Sequence, residues 1–78
     1  MARQRPQIDG RWMILLRGPK WSQPVPSSRV FSTPEAACFY ADALIADPDL
    51  WVSEEGPALC RLLESEAPDQ VRVRITTA

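Results

Sequence analysis

A chain of 78 residues forms one domain near the lower size limit for independent folding, and its 45% hydrophobic and 24% charged residues argue against disorder. The chain has no histidine and only two cysteines, which excludes the usual Cys/His metal sites and any Ser–His or Cys–His nucleophile pair. No apolar run approaches the ~18 residues of a membrane span, and no signal peptide is recognisable, so we expect a cytoplasmic protein with free thiols. The alternative for Cys38 and Cys60 is a disulfide.

The net charge of −1 is unevenly distributed along the chain. Residues 1–30 carry six basic residues and a single acid, whereas residues 31–78 carry three arginines and nine acids. Such asymmetry favours a charged partner, although folding can also pair the two halves internally.

The first seventeen residues divide into an arm and a strand. Residues 1–9 are polar and aperiodic, so we interpret them as a flexible basic arm before one domain over residues 10–78. The segment 11–17 (RWMILLR) predicts a strand with apolar residues on both faces, which is typical of a central strand.

The segment 17–29 (RGPKWSQPVPSSR) combines three prolines with one tryptophan. Prolines reduce the entropy lost when a loop is fixed, and tryptophan and arginine are frequent interface anchors. We therefore predict that this loop presents Trp21, with Lys20 and Arg29, to a partner. The alternative is that Trp21 folds back and covers the small core. A short return strand is predicted at 29–32.

The clearest helix begins after Thr33, with Pro34 in its first turn, and ends before Pro48. At 100° per residue it is apolar nearly all round, which is typical of a helix buried on both sides or lying at an interface. One wide face holds Ala36, Phe39, Tyr40, Ala43 and Leu44, and the opposite face holds Cys38, Ala41 and Ile45. The second face predicts a partner surface or a homodimer seam, unless later segments cover it.

The remaining elements complete the predicted fold. Residues 49–52 favour a short strand or packed turn, residues 56–68 a second helix, and residues 70–76 a strand with Arg72 and Arg74 facing outward. The order β-β-α-(β)-α-β predicts a small two-layer α+β domain, with a mostly antiparallel sheet of three to four strands and two helices on one face. If the last strand pairs with the first, its outer face combines Met13, Leu15, Arg11 and Arg17 with Arg72 and Arg74.

These features predict a non-catalytic protein-binding module, such as an accessory subunit, an adaptor or a small inhibitor, with no cofactor and no metal. One alternative is a nucleic-acid-associated protein that uses the basic N-terminal segment, with Trp12 or Trp21 for stacking. Another is an inhibitor whose acidic residues occupy a nucleic-acid-binding groove of another protein. The predicted contact residues are Trp21, Lys20, Arg29, Cys38, Ala41, Ile45, Arg72 and Arg74.

Overall fold

The computed structural model describes residues 11–78, so the predicted arm at 1–9 lies outside the described residues. Residues 11–78 form a small α+β domain of three antiparallel strands and three helices, which confirms the predicted fold class with one helix more than the two predicted. The elements in chain order are β1 (Trp12–Arg17), β2 (Val25–Phe31), α1 (Pro34–Ala46), α2 (Pro48–Glu54), α3 (Pro57–Ser65) and β3 (Arg72–Thr77), with a 3-10 turn at Pro68–Gln70.

The sheet has the order β2-β1-β3, with β1 antiparallel to both neighbours. The first strand is therefore central, as its two apolar faces predict, and it pairs with the last strand, which the sequence left open. β2 is longer than the predicted return strand, because it begins at Val25 inside the proline-rich segment. Pro26 is tolerated there because β2 is an edge strand, in which one side of the backbone has no ladder bonds to lose.

The core lies between one face of the sheet and the helices. Ile14 and Leu16 of β1 are both 0% exposed and cluster with buried alanines and leucines of α1 and α3. Each helix has a proline in its first turn. The Thr33 Oγ1 accepts the N–H of Ala36 at 3.1 Å and so caps α1, which confirms that this helix begins after Thr33.

The segment 49–52 is helical, so the predicted strand or packed turn is wrong. Pro48 ends α1 and also occupies the first turn of α2, and the Asp47 carboxylate caps α2 by accepting the N–H of Asp49. The sequence predicted only that Pro48 ends α1. Pro48 also begins α2, because the fixed φ of proline suits the first position of a helix.

The buried side of α1 takes residues from both of the faces that the sequence separates. Leu44 of the wide face and Ala41 of the opposite face are buried in the core, whereas Phe39 of the wide face is 78% exposed. A helix that is apolar nearly all round has no periodic signal to say which side faces the sheet. Among residues 11–78, no helix has the length and apolarity that a membrane span requires.

Candidate functional site: the open face of the sheet

The sheet has one face that the helices leave uncovered. Ile14 and Leu16 of β1 point into the core. Because side chains alternate along a strand, Met13, Leu15 and Arg17 point to the opposite side. The register places Arg72 opposite Arg17 and Arg74 opposite Leu15. We call this surface the open sheet face, and its strand residues are Met13, Leu15, Arg17, Pro26, Val30, Arg72, Arg74 and Thr76.

Two small depressions lie on and beside the open sheet face. One, of about 160 Å³, is lined by Leu15, Arg17, Pro24, Arg72, Val73 and Arg74. The other, of about 180 Å³, is lined by Arg17, Gly18, Pro19, Gln70 and Arg72. Both are smaller than the ~300 Å³ at which pockets for drug-sized ligands begin, and both are walled partly by arginine. Their size suits single side chains of another macromolecule.

The charges of the protein separate by layer. None of the three strands contains an acidic residue, and all nine acids of residues 11–78 lie between Glu35 and Asp69, in the helices and their connections. The one ion pair within this part of the chain joins Arg29 to Glu54 at 2.9 Å. Arg17, Arg72 and Arg74 therefore have no ion-pair partner within residues 11–78.

The open sheet face contains no aromatic side chain. Five of the six aromatic residues pack against the core, and the sixth, Phe39, is exposed on α1. The surface between the arginines is aliphatic, formed by Met13, Leu15, Pro26 and Val30. It can therefore make van der Waals and charge contacts but offers no ring on which a base would stack.

The proline-rich loop is attached to the end of α3. The Trp21 indole N–H donates to Ser65 Oγ at 3.2 Å, and the half-buried ring packs against the core. The Lys20 ammonium donates to the Ser65 carbonyl, and the Lys20 backbone N–H donates to Glu66 Oε2 at 3.2 Å. The structure thus places Trp21 in the folded-back position that the sequence left as an alternative. Partner binding by Trp21 and Lys20 stays a prediction.

A second polar cluster holds α2 against β2 and α1. The Glu55 carboxylate accepts from the Tyr40 hydroxyl at 2.7 Å, the Ser27 hydroxyl at 2.8 Å and the Ser28 N–H at 2.8 Å. Arg29 pairs with Glu54 and lies 5.3 Å from the Tyr40 ring centroid, so it belongs to this cluster. Burial, and then the hydrogen bond to Glu55, raise the pKa of Tyr40 well above its usual range. No sequence pattern indicates this cluster, because Glu55 and its partners are distant in the chain.

The predicted contact residues therefore fall at four separate places. Arg72 and Arg74 meet on the open sheet face together with Arg17, which the sequence analysis had left off its contact list. Arg29 lies in the Glu55 cluster, and Lys20 and Trp21 lie at the end of α3. On α1, Cys38 is exposed, Ile45 is half-buried and Ala41 is buried, so Ala41 cannot belong to an exposed seam. Both cysteines are free.

Comparisons with protein-family models, curated proteins and solved structures found no match to this chain.

Proposed function

We propose that this protein is a non-catalytic binding module of the cytoplasm, an accessory subunit, adaptor or small inhibitor, that contacts its partner protein through the open sheet face. The observation that carries the proposal is the exposed group of Arg17, Arg72 and Arg74 around Leu15, on strands that contain no acid. The solvent-facing side of an ordinary antiparallel sheet is polar, whereas this face concentrates one sign of charge on an aliphatic surface.

The chemistry of the open sheet face favours an acidic protein surface as the partner. Guanidinium groups bind carboxylates with two parallel hydrogen bonds, and the two depressions beside Arg17 and Arg72 have room for such side chains. Complementary charge speeds association and rejects basic partners, while the aliphatic residues between the arginines supply apolar contact. The loop contributes through Pro19 and Pro24, which line the depressions.

Nucleic acid is the second candidate, since arginines also bind phosphate and residues 1–9 add further basic residues. Two features weigh against it. Sheets that bind single strands present aromatic residues for base stacking, and this face has none. The nine acids of the helical layer also oppose the strongly basic character of most phosphate-binding domains, since the sequence pI is about 5.2.

Charge reversal with a matched control tests this proposal. Arg72→Glu/Arg74→Glu alters the open sheet face, and Arg61→Glu makes the same kind of change at an exposed site on α3. Wild type and both variants, each checked for folding by circular dichroism, are used for affinity capture from native lysate with and without nuclease, and captured proteins are identified by mass spectrometry. The affinity of each captured protein is then measured in purified form.

We expect an acidic protein that binds wild type and the Arg61→Glu variant equally and the double variant at least about tenfold more weakly, since two charged contacts are lost. The proposal is overturned if every captured protein binds all three forms equally. It is also overturned if the only ligand that responds to the double variant is removed by nuclease.

A further inference from the structure

We infer that the partner supplies an acidic, extended segment that joins, as a fourth strand, the edge of β3 with which no other strand of residues 11–78 pairs, called here the free edge. This inference rests on the proposed function for its charge complementarity and adds the way in which the backbone is bound. Addition of a strand to an exposed sheet edge is a recurrent mode of peptide recognition, with main-chain bonds giving affinity and alternate side chains giving specificity.

The two edges of the sheet differ in how well they are protected. β2 contains Pro26, and its register with β1 is irregular, because residues 27–29 lie opposite the single residue Ile14, two residues more than a regular ladder allows. Those three residues bond to Glu54 and Glu55 and so are held toward α2. Prolines and bulges are the usual means of keeping another strand away from an edge, so β2 is a poor site for addition.

β3 lacks these protections. It pairs with β1 over six consecutive residues without a shift in register, and it contains no proline. One contact shows which backbone groups of β3 point toward β1: the Ala78 N–H donates to the Arg11 carbonyl at 2.9 Å. Because bonding alternates along an antiparallel strand, Arg72, Arg74 and Thr76 bond to β1. The backbone groups of Val73, Ile75 and Thr77 therefore point to the free edge.

The side chains of β3 specify the chemistry of the added segment. Arg72 and Arg74 lie on the open sheet face at alternate positions, so they would stand beside residues i and i+2 of an added strand. Carboxylates at those two positions would satisfy both arginines. A residue between them would face the helical side of the sheet, next to Val73, which is 38% exposed in the free protein. The segment therefore alternates acidic with apolar residues.

Helix α1 offers a surface for those apolar residues. Tyr40 bonds to Glu55 and packs on Phe31 of β2, which fixes the side of α1 that faces β2. At 100° per residue, Cys38 and Ile45 lie roughly 150° around the helix from Tyr40, on the flank toward β3. The two α1 residues of the predicted seam that are not fully buried thus border the same edge.

A second copy of this chain does not suit the edge. β3 has no acid, so a β3–β3 contact leaves the arginines of both copies unpaired, and self-pairing centred on Val73 would set arginine against arginine. Like charges directly across a strand pair are destabilising. The free edge of β3 therefore favours an acidic strand over the β3 strand of a second copy of this chain.

A designed peptide probe tests strand addition. The probe is an acetylated, amidated nine-residue peptide in which glutamates alternate with valine and threonine, titrated into the full chain by NMR. Two further probes carry N-methyl groups either on every glutamate or on every valine and threonine. Only one set of amides can face β3, so methylation of that set blocks pairing while methylation of the other set leaves it intact.

We expect the probe to slow hydrogen exchange of the Val73, Ile75 and Thr77 amides, and one N-methylated form to bind at least about tenfold more weakly than the other. Loss on methylation of valine and threonine indicates antiparallel addition, and loss on methylation of glutamate indicates parallel addition. Equal affinity of the two methylated forms, or no binding of the unmethylated probe to the wild-type chain, overturns strand addition.

Variants of the protein separate this inference from the proposed function. Val73→Pro removes an N–H that points to the free edge without removing a bond to β1, and Val73→Thr is its matched control. If Arg72→Glu/Arg74→Glu weakens the probe while Val73→Pro and both methylated forms do not, strand addition fails and binding by the open sheet face stands. If the charge reversal has no effect on the probe or on the captured protein, both fail.

Discussion

Gly18 lies where the backbone after β1 runs against a buried carboxylate. A Cβ on this residue would lie 2.5 Å from the Glu66 Cγ and 2.7 Å from its Cδ, closer than real Cβ contacts allow. Glu66 is buried and accepts the N–H of Lys20, so its side chain cannot simply swing away. The glycine thus lets the loop that carries Trp21 reach the end of α3.

Gly18→Ala is therefore expected to lower the free energy of unfolding by about 1–2 kcal/mol, because overpacking costs more than the entropy gained by removing a glycine. Denaturant unfolding measures this. Gly56→Ala is the control, since nothing lies within 4 Å of a Cβ built there. In a Glu66→Ala background the Gly18 substitution should cost less than about 0.5 kcal/mol. An equal cost in both backgrounds would show that Glu66 is not the obstacle.

Single residues differ in how far the sequence predicts their role. The cap at Thr33 is predictable because donor and acceptor are close in the chain. A hydroxyl just before the first helical residue can accept the backbone N–H three residues later, here that of Ala36. The contact between Gly18 and Glu66 joins residues far apart in the chain, so no local sequence pattern predicts it. The same holds for Trp21, whose partner Ser65 is 44 residues away.

Among the elements, α2 is held in place by the Glu55 cluster. The same cluster contains Tyr40, whose ionisation can be followed by titration. Tyr40, the only tyrosine, donates to Glu55, which also binds Ser27 and Ser28 of β2. Burial and this carboxylate raise the pKa of Tyr40 well above its usual range. The neutral phenol is therefore the form that the folded state favours.

This pKa shift predicts a loss of stability at alkaline pH. Below about pH 10 the phenol is protonated in both the folded and unfolded chains, and its contribution is fully present. Above pH 10 only the unfolded chain releases the proton, so the free energy of unfolding falls as the pH rises. Ultraviolet titration of phenolate should show Tyr40 ionising near pH 10 in the denatured chain and at higher pH in the folded chain.

Two variants check the cause of that shift. Glu55→Gln should move the phenolate midpoint of the folded chain downward, because it removes the negative charge beside the hydroxyl. Tyr40→Phe should cost about 1 kcal/mol at neutral pH and should flatten the alkaline decline in stability. A folded wild-type chain that forms phenolate at the same pH as the denatured chain would contradict this account.

The elements were predictable where a periodic pattern was clear. β1 reads as a central strand and β3 as an alternating strand, and their pairing predicts the open sheet face. Helix α1 was predicted, but its apolar residues surround the axis, so the pattern did not show which of them face the sheet. α2 was missed because a helix of only seven residues, which begins at Pro48 and ends before Gly56, carries too little periodicity. Its stability depends on Trp51 and Leu50 packing onto the core.

For the whole molecule, the charge asymmetry along the chain becomes an asymmetry between layers. The acids lie in the helices and their connections, and the arginines of the open sheet face lie on the strands, with a single ion pair between Arg29 and Glu54 in residues 11–78. Folding thus leaves most of the opposite charges apart. The sequence left internal pairing open, and only packing could decide it.

This separation carries a cost within the sheet. Arg17 and Arg72 stand directly opposite each other on β1 and β3, with Arg74 two residues along. Like charges at opposed positions destabilise a strand pair by up to about 1 kcal/mol, and the effect is strongest at low ionic strength. Residues that oppose folding and yet favour a carboxylate partner fit a role in binding.

Arg72→Gln is accordingly expected to raise the free energy of unfolding by roughly 0.5 kcal/mol at low salt, with the gain fading as salt screens the repulsion. Denaturant unfolding at two ionic strengths measures both the gain in the free energy of unfolding and its dependence on salt. Arg61→Gln, which removes the same charge from α3, should give no gain, because the helical layer around it is acidic. The same Arg72→Gln variant should bind the acidic probe more weakly, so one substitution moves stability and affinity in opposite directions. A gain that persists at high salt would mean that glutamine acts through packing or strand propensity and not by relieving charge repulsion.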